Sequence, residues 1–172
     1  MTANNLITKI NSLAKEINHP IKIMEVCGTH TQTIAKYGIK SMLPKNIKLV
    51  SGPGCPVCIT PQRTIDEAVT LALNKIPIAT YGDMLRVPGS DVSLETAKQS
   101  GADVFIVEST TDAIALKKTH PNIVFLGIGF ETTTPMSAWA IKNGLDILCA
   151  HKTIPEAMNI IISDPKNEID GF

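Results

Sequence analysis

The chain has 172 residues, 44% hydrophobic and 19% charged, and its 16 basic residues balance 16 acidic ones to a net charge of +0. That is enough apolar surface for a soluble α/β-sized core, and with no Lys/Arg-rich run it excludes an electrostatic nucleic-acid or membrane-surface footprint. The start, Met1-Thr2-Ala3-Asn4-Asn5, carries no secretory pattern, and no apolar run nears the roughly 18 residues of a membrane span, so a cytoplasmic protein is expected.

In chain order, Leu6, Ile7, Ile10, Leu13 and Ile17 recur at helical spacing and predict an amphipathic helix packed on a sheet. Residues 21–26 and 47–51 are short runs rich in β-branched side chains, each ending in small and turn-forming residues, and they predict strands. The same punctuation returns at 76–81 before Gly82-Asp83, at 103–107 before Glu108-Ser109-Thr110, at 122–128 before Gly129-Phe130-Glu131, and at 145–150 before His151. Helical patterns at 64–75, 93–100, 110–118 and 135–143 lie between these runs. The alternation predicts an α/β fold with a parallel β-sheet and flanking helices. Two βαβ-type lobes with a cleft between them are expected: a first α/β domain over residues 1–119 that carries the cysteine motifs, and the start of a second over 120–172. Ligands in such sheets bind outside the carboxyl ends of the strands, where the polar residues of this chain fall.

Chemistry concentrates at two of those strand exits. Cys27-Gly28-Thr29-His30 follows the first strand, and Gly52-Pro53-Gly54-Cys55-Pro56-Val57-Cys58 follows the second. Four cysteines in a reducing compartment argue for metal ligands, a redox pair or core residues rather than disulfide staples. Thr60-Pro61 reads as an N-cap with proline at the first helical position, which sets Cys58 just before a helix N-terminus that favours thiolate. Glycines and prolines make the loop permissive at some positions and stiff at others, so that it can point both sulfurs one way. Three thiolates and His30 can close a tetrahedral zinc site, and soft ligands on this edge also suit a low-valent iron centre. Cys149 lies inside an apolar run and is expected to pack as a small hydrophobe.

Four blocks then carry a resemblance. Met24-Glu25-Val26-Cys27-Gly28-Thr29-His30-Thr31, Gly52 through Cys58, Tyr81-Gly82-Asp83-Met84-Leu85-Arg86-Val87-Pro88 and Gly129-Phe130-Glu131-Thr132-Thr133 together resemble the HypD family of hydrogenase maturation proteins. The resemblance runs from about Ile21 to the end of the chain. It implies a scaffold on which, with a HypC-type partner, the Fe(CN)2CO unit of nickel-iron hydrogenases is assembled, with cyanide received from a HypE-type donor and the unit passed to the hydrogenase large-subunit precursor. Cys27 carries over as the thiol for iron attachment, and Cys55 and Cys58 as the neighbouring pair for redox or ligand chemistry, so that all three count as metal-handling residues. His30 sits with them in the family's cleft, and Glu131, Thr132 and Thr133 line it, with Glu131 able to shuttle protons during ligand transfer.

The chain also departs from the family. Relatives are about twice as long and end in a region whose cysteines hold a four-iron cluster, so this chain reads as the N-terminal half, and that cluster is expected to be absent from it. Many relatives carry a second histidine where Gln32 stands here.

Other residues have plainer readings beside functional ones. Asp83 and Arg86 can hold an anion or a cyanide-bearing group, or form a solvated ion pair within one loop. Gly127-Ile128-Gly129 half-matches a dinucleotide fingerprint but lacks its third glycine, so no nucleotide site is read there. His151 is read as a surface or supporting histidine, and Met136 and Trp139 as core. Two further functions stay open: a thiol-disulfide oxidoreductase using Cys55 and Cys58, and a zinc-stabilised binding module.

Overall fold

The computed structural model describes residues 2–172, and in it all six strand-length runs form strands. They are β1 (Ile21–Glu25), β2 (Ile47–Ser51), β3 (Ile78–Thr80), β4 (Val104–Ile106), β5 (Val124–Gly129) and β6 (Asp146–His151). The helices are α1 (Ala3–Ala14), α2 (Gly28–Lys36), α3 (Ile39–Met42), α4 (Gln62–Leu73), α5 (Leu94–Gln99), α6 (Thr110–Leu116), α7 (Thr134–Lys142) and α8 (Ile154–Ser163). Every strand pair is parallel, as the alternation of strands and helices requires. The chain divides into two compact units, one of Met1–Cys55 with Ile154–Phe172 and one of Pro56–Thr153.

In the first unit, β1 pairs with β2 in the register Ile21↔Ile47 through Glu25↔Ser51, so the two strands finish level with each other. Gly38, at a φ of 60°, adopts the left-handed conformation that lets the chain turn from α2 into α3 before entering β2. On the outer side of β1, the N–H of Met24 donates to the carbonyl of Gly171 at 2.9 Å, and the N–H of Lys22 to the carboxylate of Asp170 at 2.7 Å. Helix α1 is held by its end: Ala14 is buried, and the side-chain amide of Asn46 donates to the Ala14 carbonyl at 2.9 Å.

The second unit holds a four-stranded sheet in the order β4-β3-β5-β6. Consecutive strand residues point to opposite faces, so each strand feeds two cores. Ile78, Leu126 and Ile128 pack with Ile65, Ala68 and Val69 of α4 and Leu94 of α5. Ala79 and Phe125 pack on the other face with Ala113 of α6 and Ala140 of α7. Burial on both faces is why these strands read as near-continuous apolar runs. The strand order reverses at β3, whose neighbours are β4 on one side and β5 on the other, and in parallel sheets the carboxyl ends beside such a switch are where ligands bind. Thr119 lies between α6 and β5, inside this unit.

Several local expectations are corrected. Helix α4 starts at Gln62 with Pro61 at the N-cap, not at Thr60. The Thr60 hydroxyl is buried and donates to the Pro56 carbonyl at 2.8 Å, which closes the turn before the helix instead of capping it. Met136 and Trp139 are each 44% exposed, because α7 meets the sheet through its small residues, Ser137 and Ala140. Cys149 is exposed rather than packed in a core, since β6 is an edge strand.

Trp139, the single tryptophan, reports unfolding of the second unit. Leu126→Ala, at a fully buried site, is expected to cost about 2–5 kcal/mol in a urea titration followed by Trp139 fluorescence. Met136→Ala, on the exposed side of α7, is expected to cost about 0.5 kcal/mol or less. Equal losses in the two variants would contradict this placement of the core.

Candidate functional site

In the first unit the level ends of β1 and β2 bring the two cysteine motifs side by side. The N–H of Gly52 donates to the Glu25 carbonyl at 2.8 Å, and the N–H of Gly28 donates to the Gly54 carbonyl at 3.2 Å. The glycines are what allow this approach. A Cβ on Gly54 would lie 2.5 Å from the backbone nitrogen of Cys27 and 2.7 Å from its Cα, and one on Gly52 would lie 2.7 Å from the Met24 side chain. Backbone cannot yield by that much, so Gly54 must remain bare for the loop that carries Cys55 to rest against Cys27.

Cys27 is the N-cap of α2, in extended conformation at φ −145° and ψ 126°. The backbone N–H groups of Thr29 and His30, with the Thr29 hydroxyl, hold the thiol below its ordinary pKa, against the opposing effects of burial and the Glu25 charge. Burial pushes the other way on Glu25 too, yet hydrogen bonds from the Thr31 hydroxyl, the Cys27 N–H and the Ser51 hydroxyl, with the His30 charge, keep its carboxyl below the usual range. The Cys27 N–H reaches Glu25 Oε2 at 3.1 Å, and the Thr31 hydroxyl donates to Oε1. Glu25 therefore ties the end of β1 to the first turn of α2. Cys27 and Cys55 are half-buried, and His30 is exposed.

The division between the two units falls within the Cys55-Pro56-Val57-Cys58 stretch. In the second unit Val57 packs against the α4 core, and Cys58 is exposed in the turn four residues ahead of Gln62. The cysteine seated at a helix N-terminus is thus Cys27. Asp83 lies in a short 3-10 turn (Gly82–Met84) just after β3, and Glu131, Thr132 and Thr133 come just after β5, so both motifs lie at the carboxyl ends of the strands where the strand order reverses. The turn after β5 is closed by three donors on one acceptor: the Thr133 N–H at 3.1 Å, the Thr133 hydroxyl at 3.1 Å and the Thr134 hydroxyl at 3.0 Å, all to the Phe130 carbonyl. Arg86 pairs with Glu95 of α5 at 3.2 Å, an exposed bridge worth about 1 kcal/mol or less. Of the two readings left open for Asp83 and Arg86, the ion pair within one loop does not form, since Arg86 pairs with Glu95 instead.

Two features had no reading in the sequence. Asp66 of α4 accepts from the N–H and hydroxyl of Ser90 at 2.6 and 2.7 Å, pinning the loop after Arg86. A Cβ on Gly89 would meet Asp66 Oδ1 at 2.5 Å, so the Gly89-Ser90 pair was the available signal. The second is α2, the helix after Cys27, whose threonines leave it without an apolar stripe.

Among the described residues, no group of three or more His, Cys, Asp or Glu side chains is gathered closely enough to hold a metal ion, and no helix is long and apolar enough to cross a membrane.

A family model described as the Hydrogenase formation hypA family, HypD, matches residues 1–172. The hydrogenase maturation factor HypD of Rhodobacter capsulatus is 41% identical over 99% of this chain and 49% of its own length. That of Escherichia coli is 39% identical over 98% of this chain and 48% of its own length. A putative hydrogenase expression/formation protein of Methanocaldococcus jannaschii is 46% identical over 92% of this chain and 46% of its own length. The chain spans about half the length of the curated relatives it matches. With cysteine-bearing turns fixed at adjacent strand ends and a family match along its whole length, the chain belongs to the HypD family of hydrogenase maturation factors.

Proposed function

We propose that this chain carries the thiol site of a scaffold that assembles the iron unit of nickel-iron hydrogenases. The cargo is an iron bearing two cyanides and one carbon monoxide, held together with a HypC-type partner, supplied with cyanide by a HypE-type donor, and handed to the large-subunit precursor in the cytoplasm. The observation that carries this reading is the seat of Cys27. It is the N-cap of α2, where the start of the helix favours thiolate, on a turn locked against the Cys55 loop by the bare backbone of Gly54. Thiolate is the form that binds a soft metal.

Three diatomic ligands already occupy half of a six-coordinate iron, so the protein need not supply a closed cage. One thiolate from Cys27 and one from the partner suffice to hold the cargo. Cys55, whose loop lies against Cys27, supplies electrons or ligand chemistry there, and Cys58 is its partner in the C-x-x-C motif. In the second unit, Glu131 after β5 is the candidate proton carrier for ligand transfer, and Thr132, Thr133 and Asp83 offer hydrogen-bonding groups on the same sheet edge. His30 offers an exposed imidazole beside Cys27, and Arg86 carries an exposed positive charge in the second unit.

Anaerobic purification with a HypC-type partner, followed by metal analysis and infrared spectroscopy of the cyanide and carbon monoxide stretches, tests the assignment. Cys27→Ala is expected to abolish iron retention and the bands, whereas Cys55→Ala is expected to keep iron while losing ligand bands. Equal iron in wild type and Cys27→Ala would sink the reading, and zinc in place of iron would favour a structural module.

Gly54→Ala keeps all four cysteines but places a methyl group where the Cys27 backbone lies. It is expected to lower iron retention about tenfold, because the loop must move away; full retention would mean that this approach is dispensable.

The pH dependence of Cys27 alkylation follows from its lowered pKa. In the folded chain the reactive thiolate persists to lower pH than in the chain unfolded in urea, so the midpoint of the alkylation rate is expected to shift downward on folding. Coincident profiles would remove the support that the helix N-terminus lends to thiolate.

A further inference from the structure

Gly127 and Gly129, which half-match a dinucleotide fingerprint, have a different use in the fold. On β5 they stand opposite Cys149 and His151 of β6. A Cβ on Gly127 would lie 3.4 Å from Cε1 of His151 and 3.1 Å from Cγ2 of Ile147, and a Cβ on Gly129 would lie 3.3 Å from Cδ2 of the same ring. The two bare positions clear a floor on which the imidazole rests, half-buried, at the end of an edge strand.

Both ring nitrogens have partners in place. Nε2 lies 3.3 Å from the hydroxyl of Ser137, which is buried in α7, and Nδ1 lies 3.3 Å from the sulfur of Cys149, which is exposed. Burial holds His151 below its ordinary pKa, so the ring is neutral at pH 7 and keeps one nitrogen as an acceptor. With its proton on Nε2, donated to the Ser137 oxygen, the ring presents Nδ1 to the thiol. A nucleophile, a base and a third group that orients the base is the arrangement that activates a thiol.

We propose that Cys149 and His151 form a second reactive thiol site, held by Ser137 and the two glycines, whose substrate is a small disulfide. Nδ1 of His151 takes the proton from the Cys149 thiol, and the sulfur attacks one sulfur of the disulfide. The S–S bond breaks, a mixed disulfide forms on Cys149, and the departing thiolate takes the proton back from the imidazolium. One thiol is consumed and one released, with the small disulfide as the oxidant. The exposed position of Cys149 on an edge strand gives such a molecule access, and no part of the step depends on the iron chemistry of the first unit.

The test is timed exposure of the native chain to oxidised glutathione at pH 7, followed by acid quench, digestion and mass spectrometry of each cysteine peptide. An ordinary thiol is about 3% thiolate at that pH, so assistance by the imidazole raises the rate at most about 30-fold. His151→Asn is expected to slow modification of Cys149 about tenfold, and Ser137→Ala a few-fold, while the rates at Cys27, Cys55 and Cys58 stay as in the wild type. A Cys149 rate that is the same in the wild type and both variants overturns the proposal. Should His151→Asn fail to fold, Ser137→Ala decides alone, since it leaves the imidazole and removes only its Nε2 partner: an unchanged Cys149 rate there overturns the proposal as well.

Discussion

Gly54 presses its backbone against that of Cys27, and the thiol site of the first unit depends on that contact. A single added methyl carbon would sit 2.5 Å from the Cys27 nitrogen, closer than any packed structure tolerates. Because β1 and β2 run parallel and finish level, the turns that follow them are already neighbours. The hydrogen bond from Gly28 to Gly54 then fixes their spacing. Glycine is entropically costly in the unfolded chain, and Pro53 and Pro56 on either side of Gly54 and Cys55 offset part of that cost by restricting the same stretch before it folds.

Once the turn is placed, local electrostatics decide the state of the thiol. Backbone N–H groups at the start of a helix lack intrahelical partners and carry partial positive charge, worth typically 0.3–1 kcal/mol and up to about 2 kcal/mol where partly buried. Those of Thr29 and His30 act on Cys27. Glu25 is a nearby negative charge that opposes thiolate, yet its carboxylate is already engaged by Thr31, by the Cys27 N–H and by Ser51. The acid thus serves as a strap between strand and helix, and the N–H groups prevail at the sulfur.

The second unit uses its sheet in two ways. Where the strand order reverses, the exits of β3 and β5 carry Asp83 and Glu131. At its edge, β6 has a neighbour on one side only, which leaves Cys149 in solvent beside an imidazole that is half withdrawn from it. Glycines recur in both units for the same reason, the close approach of another group. At Gly129 a Cβ would lie 1.8 Å from the Thr133 hydroxyl oxygen, so the turn after β5 closes only around a bare backbone.

The sequence by itself determined the α/β class, all six strands and the turns on which the reactive residues lie, because strand-length apolar runs and small-residue motifs are local patterns. It concealed α2, since Thr29, Thr31 and Thr33 are weak helix formers with no apolar stripe, and that helix exists because strand β1 delivers Cys27 to its N-cap and Glu25 ties down its first turn. It also misplaced Cys149, Met136 and Trp139. An apolar run does not say whether its strand is central or at an edge, and a helical stripe does not say whether large or small residues face the sheet. The grouping of six strands into a pair and a quartet, the pairing of Arg86 with Glu95, and the seating of His151 over two glycines were decided only by tertiary structure, because each joins residues that no local periodicity relates.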